Sequence, residues 1–198
     1  MSKDFYNSRR YHSFFEGYTE KTVVENGKRK IVRVYTGDYY RPVLTSEQRT
    51  LRRILNCALY ALTLGLYIYC ATQPLEINLS PLVAICQGFE ILSLLWLLVS
   101  IIDYAAAKDQ MTVRVYRTAS RRLTCLSLAG AILFGLMSLL YLALTLQLGN
   151  WSEFFRLFPF SLICGISMLA VYYMEKNTEY EQILSTEAPI KDGNEIKY

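Results

Sequence analysis

Residues 81–102 read PLVAICQGFEILSLLWLLVSII, 22 residues with no Lys or Arg and one acid, Glu90. A helix rising 1.5 Å per residue needs about 20 residues to cross roughly 30 Å of hydrocarbon, so this stretch is long enough to span a membrane. Working outward, three further segments have the same character: 54–71 (ILNCALYALTLGLYIYCA), 123–146 and 157–174. Each holds 18 or more residues free of Lys and Arg. Open strands in lipid would leave backbone groups unpaired, and the alternation of apolar and polar residues that a membrane barrel needs is missing. The expected fold class is therefore an all-α membrane protein, a bundle of four transmembrane helices.

Charge placement gives the expected orientation. Residues 1–53 carry twelve of the 21 Lys and Arg, the 103–122 loop five and the tail after Met174 three. The 72–80 loop carries none and the 147–156 loop only Arg156. Positive residues are retained on the cytoplasmic side, which predicts both termini inside, with Trp151 at an interface. The chain then divides into a cytoplasmic region 1–48, a four-helix domain 49–174 and an acidic tail 175–198. No short apolar stretch precedes the first span, so that helix is expected to be the insertion signal rather than a cleaved peptide.

Ahead of the first span, residues 18–35 (YTEKTVVENGKRKIVRVY) place Asn26-Gly27 between two β-branched runs, a strong cue for a type I′ hairpin. A two-residue turn sets Glu25 opposite Lys28 and Glu20 opposite Arg33. An isolated hairpin is marginal in water, and Met111 to Tyr116 (MTVRVY) offers it a supporting strand, or else extends the third helix backwards. Val113–Tyr116 repeats the tetrapeptide Val32–Tyr35, a hint of duplication weakened by unequal spacings. Thr45 or Ser46 is expected to cap the helix that runs into span one. The start of the tail is expected to continue the fourth helix, and the stretch from Ser185 onward to lack structure.

Composition excludes several function classes. The five cysteines form no C-x-x-C pair, which disfavours thiol–disulfide exchange, and they read as small apolar packing residues. Cys70 and Cys86 flank the first short loop, where a meeting is geometrically feasible. The sole histidine, His12, supplies neither a histidine metal site nor a triad. No catalytic motif and no cofactor motif appears. The basic excess lies beside membrane helices, where anionic headgroups account for it, so the lipid bilayer and not nucleic acid is the expected partner. Arg49, Arg52, Arg53, Arg121 and Arg122 are the expected headgroup contacts.

Glu90 is the sharpest candidate for chemistry. It stands near mid-membrane with Gln87 one turn earlier on the same face. A carboxylate at that depth costs roughly 2.5–3.5 kcal/mol on insertion scales, so it is expected to face the bundle interior or a wet cavity. With no Lys or Arg in any span, it must be protonated, hydrated, bound to a cation, or hydrogen-bonded to Gln87, Ser93, Thr63 or a tyrosine. Tyr60, Tyr67 and Tyr69 read either as the lining of a polar path or as interfacial anchors.

Small residues recur every four positions, at Ser127, Ala131 and Gly135 and again at Ser161 and Gly165, where helix backbones can approach closely. They serve either packing within the bundle or contact with another copy. Two functional readings follow. The leading one is a non-enzymatic accessory, assembly or regulatory membrane subunit that docks a protein partner or a second copy through the hairpin or the small-residue faces. The alternative is a small transporter or channel-like oligomer in which Glu90 couples a proton or a cation.

Overall fold

The computed structural model describes residues 17–25, 28–184 and 195–197. Among the described residues four helices are long and apolar enough to cross a membrane. They are α1 (Ser46–Thr72), α2 (Pro81–Ala106), α3 (Arg122–Leu148) and α4 (Trp151–Lys176). Each extends past its apolar stretch because the flanking residues are good helix formers with defined ends. Thr45 caps α1 in a full capping box, its side chain accepting from Gln48 N while the Gln48 side chain accepts from Thr45 N. Pro81 opens α2, and Gly149, in the left-handed region at φ 72°, closes α3.

The chain folds into two compact units. The helical unit contains all four long helices. Within it α3 packs most extensively on α4, α4 on α1 and α2 on α3. Its polarity is distributed as lipid solvation requires: Phe89, Leu92, Leu95, Trp96 and Ile102 of α2 face outward, while Glu90 and Ser100 are buried. The 73–80 connection folds in as a 3-10 turn (Glu76–Leu79) that drives Ile77 into a core with Val83, Met137, Tyr141, Phe154 and Leu157. Glu153 holds this turn. Its carboxylate accepts from Ile77 N (3.1 Å), Glu76 N (3.3 Å) and Asn150 Nδ2 (2.9 Å).

The described residues of the second unit form β-strands and one helical turn. Strand β1 (Tyr18–Glu25) pairs antiparallel with β2 (Lys28–Tyr35), in a register that sets Glu25 opposite Lys28 and Glu20 opposite Arg33. The turn residues Asn26 and Gly27 lie outside the described residues. A second sheet contains β3 (Tyr39–Pro42), β4 (Met111–Thr112) and β5 (Tyr180–Ile183) in the order β4-β3-β5. Its strands come from before α1, between α2 and α3, and after α4.

Residues 111–116 divide between the two readings: Met111–Thr112 is strand, and the third helix extends backwards without a break to Val113. Met111–Thr112 pairs with Tyr39–Tyr40, Val113–Tyr116 is a single helical turn, and a π-helical turn (Arg117–Arg121) follows before α3. The two Val-Arg-Val-Tyr copies therefore adopt different structures, strand at 32–35 and helix at 113–116. At the start of the tail α4 continues past Met174 to Lys176 and β5 follows three residues later; residues 185–194 lie outside the described residues, and Glu195–Lys197, expected to lack structure, is a strand β6 paired with β2. Tyr35 organises this unit. It is buried, donates to Asp38 O (2.7 Å), accepts from Val113 N (3.2 Å) and meets the rings of Tyr18 and Tyr39 edge-on. Gly17, at φ 82°, lies so close that a Cβ there would stand 2.8 Å from the Tyr35 ring.

Candidate functional site

The buried face of α2 runs Val83, Glu90, Leu94, Leu97, Ile101 and Tyr104, steps of three, four or seven that put one stripe toward the other helices. Glu90 occupies a position in that stripe where its neighbours are apolar. It is 2% exposed, and its Oε1 has no hydrogen-bond partner. A buried polar atom without a partner is rare, and at a membrane carboxyl it marks a place to look for a ligand.

Glu90 opens onto a cavity with room for about one water molecule. Tyr67, Cys70 and Ala71 of α1 line it, with Gln87 of α2, Phe134, Met137 and Tyr141 of α3, and Ser161 of α4. Gln87 is near Glu90 but engaged elsewhere. Its Nε2 donates to Asn78 Oδ1 (3.4 Å), its side chain is hydrogen-bonded to Tyr141, and its carbonyl accepts from the Tyr67 hydroxyl (3.0 Å). Thr63, another expected partner, donates to Leu59 O (2.8 Å). The Glu90 oxygen thus faces hydroxyl and amide groups that are held by other partners. Among the described residues no group of three or more His, Cys, Asp or Glu could hold a metal ion.

One polar feature was not read from the sequence as a unit. Asn56, Tyr60, Thr63 and Tyr67 follow one another at helical spacing on α1, and the first three are buried. Asn56 Oδ1 has no hydrogen-bond partner. The spacing 56, 60, 63, 67 was available to find this stripe, but Asn56 reads alone as a span-end residue.

The small residues meet inside the chain. A Cβ added to Gly165 would lie 3.6 Å from Phe134 Cβ, 3.7 Å from Ala131 O and 3.9 Å from Gly135 N. Ser161 Oγ donates to Phe134 O (3.1 Å) and lies 3.1 Å from Ser138 Oγ. Ser127 is buried and donates to Thr124 O of its own helix (3.1 Å). A Cβ on Gly135 would meet nothing within 4 Å. All five cysteines are free thiols, Cys70 and Cys86 included.

The arginines expected at headgroups divide. Arg49, 8% exposed, donates to Ala107 O (2.8 Å), the carbonyl that ends α2, and Arg53 donates to the same oxygen. Arg52 donates to Met174 O (2.6 Å) near the end of α4 and to Thr178 Oγ1. Arg122 donates to Ser100 Oγ (2.9 Å) and pairs with Asp103. Arg121 is exposed. Cations are favourable at helix C-termini, where the last carbonyls lack partners, and this placement answers that need.

No known protein family, curated protein or solved structure matches the chain, and the chemistry of the site is read from its own atoms.

Proposed function

We propose that this integral membrane protein works through Glu90 as a proton-coupled small transporter or channel-like protein. The observation that carries the reading is the Glu90 carboxyl, buried in the helical unit with one oxygen unpartnered and a water-sized cavity beside it. A structural glutamate in a membrane interior would be expected to engage both oxygens with neighbouring donors, because an unmet acceptor there costs about 1–3 kcal/mol or more. Positive-residue placement supports an orientation with both termini in the cytoplasm. The register of β1 and β2 supports closure of a hairpin at Asn26-Gly27. Neither the coupling role nor the orientation calls for a catalytic residue.

The test is proton flux in proteoliposomes, comparing the wild-type chain with Glu90→Gln. The amide keeps the size of the side chain and removes its ability to exchange a proton. Flux should be lost while the protein elutes unchanged in detergent, and unchanged flux would remove the coupling role.

A second reading, an accessory subunit docking a partner on the cytoplasmic side, is favoured by the β unit. Strands from three separate segments build it, and among the described residues β1 is an eight-residue edge strand paired with β2 alone. Cross-linking in native membranes followed by purification of the full chain tests this reading. Recovery of the chain alone speaks against it.

A further inference from the structure

The polar groups around Glu90 are not distributed evenly along the bundle. Glu90 is the tenth residue of α2, which places it about 13 Å along the helix from its start at the 73–80 connection. Between the two lies a run of polar groups. Asn78, in that connection, is fixed by donating to Cys70 O and Gln73 O, both at 2.9 Å, and its Oδ1 accepts from Gln87. Gln87 in turn borders the cavity that reaches Glu90. The cavity takes its lining from the last turns of α1, the first half of α2, the middle and second half of α3 and the first half of α4. All of these lie toward the 73–80 connection.

On the other side of Glu90 the interior closes. Leu94 and Leu97 continue its stripe at 1% exposure each, and Met168 of α4 is fully buried. Thr63 is engaged with its own helix. The other buried polar groups on that side, Tyr60 and Asn56 of α1, Ser100 of α2, Ser127 of α3 and Ser167 of α4, all lie outside the cavity lining. The titratable groups facing Glu90 are Tyr67 and Cys70 from α1, Tyr141 from α3 and Cys164 from α4.

Resting on the reading of Glu90 as a coupling site, we infer that its ligand is a proton, exchanged in this conformation of the bundle with one face of the membrane only, the face that carries the 73–80 connection; flux through Glu90 then needs a second conformation open to the other face. The step is a simple transfer. The carboxylic O–H bond breaks, a water in the cavity takes the proton, and the carboxylate remains with the electron pair. Return of the proton reverses it. The water must itself enter and leave past Gln87 and Asn78, since an amide does not relay a proton. A hard metal cation stripped of water takes roughly six or more oxygen ligands, and a hydrated one does not fit a space for about one water. Here one carboxylate stands among residues whose hydroxyl and amide groups are already engaged.

The experiment uses the full chain in sealed vesicles of both orientations, with the pH set separately on each face. Dicyclohexylcarbodiimide, which crosses the bilayer and reacts with protonated carboxyls, is added, and labelling of Glu90 is read by mass spectrometry. Labelling should fall several-fold as pH is raised on the face bearing the 73–80 connection and stay constant when only the other face is changed. Gln87→Leu should slow the response, with Asn56→Leu as the variant that should not. Labelling that follows the opposite face, or both faces equally, overturns one-sided exchange while leaving the flux result for Glu90→Gln intact. Protection by sodium or lithium at fixed pH overturns the proton as ligand. Absence of labelling at every pH, together with unchanged flux in Glu90→Gln, takes down the coupling role itself.

Discussion

Gly135 and Gly165 look alike in the sequence, each a glycine four residues after a small residue, yet the structure gives them opposite tolerances. A Cβ at Gly165 would stand 3.6–3.9 Å from Phe134 Cβ, Ala131 O and Gly135 N. Alanine therefore fits there in ordinary contact. Leucine does not, because two of the three bounding atoms are backbone and cannot rotate away, so α3 and α4 must separate. Overpacking of this kind costs about 1–3 kcal/mol, and the rigid boundary puts Gly165→Leu near the top of that range. At Gly135 the same substitution meets open space and should stay within about 0.5 kcal/mol. For a chain of this size, roughly 2–4 °C of melting temperature corresponds to each kcal/mol, which sets a loss of about 6–12 °C for Gly165→Leu. Thermal unfolding in detergent, followed by size-exclusion of the heated samples, reads the difference directly. Equal losses in the two leucine variants, or a larger loss for Gly135→Leu, would refute the packing argument.

The remaining predictions concern charged and titratable groups. Glu153→Gln leaves one of the two loop N–H groups facing an amide donor instead of an oxygen, and should cost about 1–3 kcal/mol by the same unfolding measurement. Asp103→Asn breaks the pair with Arg122, whose side chains are 29% and 42% exposed, and should cost less than about 1 kcal/mol; a larger loss than for Glu153→Gln would reverse the assignment of weights. Arg49→Ala removes a buried donor to the end of α2 and should cost about 1.5–3 kcal/mol, with hydrogen exchange at residues 104–107 rising first. Burial pushes the Tyr35 phenol above its usual 10.0, against the opposing hydrogen bond from Val113. The folded state then holds a proton that the unfolded state has lost, so the stability of the β unit is full below about pH 10 and falls as pH rises beyond it. Tyr35→Phe should remove that slope in alkaline hydrogen exchange of β3, and an unaltered slope would assign it to another group.

The helices were legible because lipid is a severe solvent: eighteen residues without Lys or Arg leave few alternatives, and α1 to α4 contain all four expected segments. The burial of Glu90 was legible for the same reason, since a lone acid at that depth has nowhere else to point. Its relation to Gln87 was only half legible. Helical spacing put the two side chains on one face, but the spacing does not reveal that Asn78 and Tyr141 engage the amide and leave the carboxyl unpartnered. Of the second sheet only Met111–Thr112 was legible, as part of a longer strand expected to support the hairpin. The sheet's strands are two to four residues long and separated by whole helices, so no periodicity marks them. Val113–Tyr116 shows the limit most plainly, because the same four residues are strand in one place and helix in another. β-branched residues favour strands only where a partner strand is supplied. At 32–35 both β1 and β6 supply one; at 113 the side chain of Thr112 accepts from Val115 N and starts a helical turn instead.

The arginines pose a related problem of double meaning. An antiparallel bundle puts the start of α1 beside the ends of α2 and α4, where four carbonyls per helix lack partners and the helix dipole presents negative charge. Arg49, Arg52 and Arg53 sit in the first turns of α1 and donate to Ala107 O and Met174 O across that gap. Their own helix gains nothing from positive charge at its N-terminus, so the benefit lies in its two neighbours. The same residues also contribute to the charge bias that sets orientation during insertion, before any neighbour is present. The two roles separate in time and in chemistry. Lysine at position 52 keeps the charge but is one bond shorter and lacks the terminal guanidinium nitrogen, Nη1, that donates to both Met174 O and Thr178 Oγ1. Arg52→Lys should therefore insert with unchanged topology, read by reporters fused to each terminus, and yet unfold at lower temperature than the wild type. A variant that inverted in the membrane, or one as stable as the wild type, would show that Arg52 acts through charge alone.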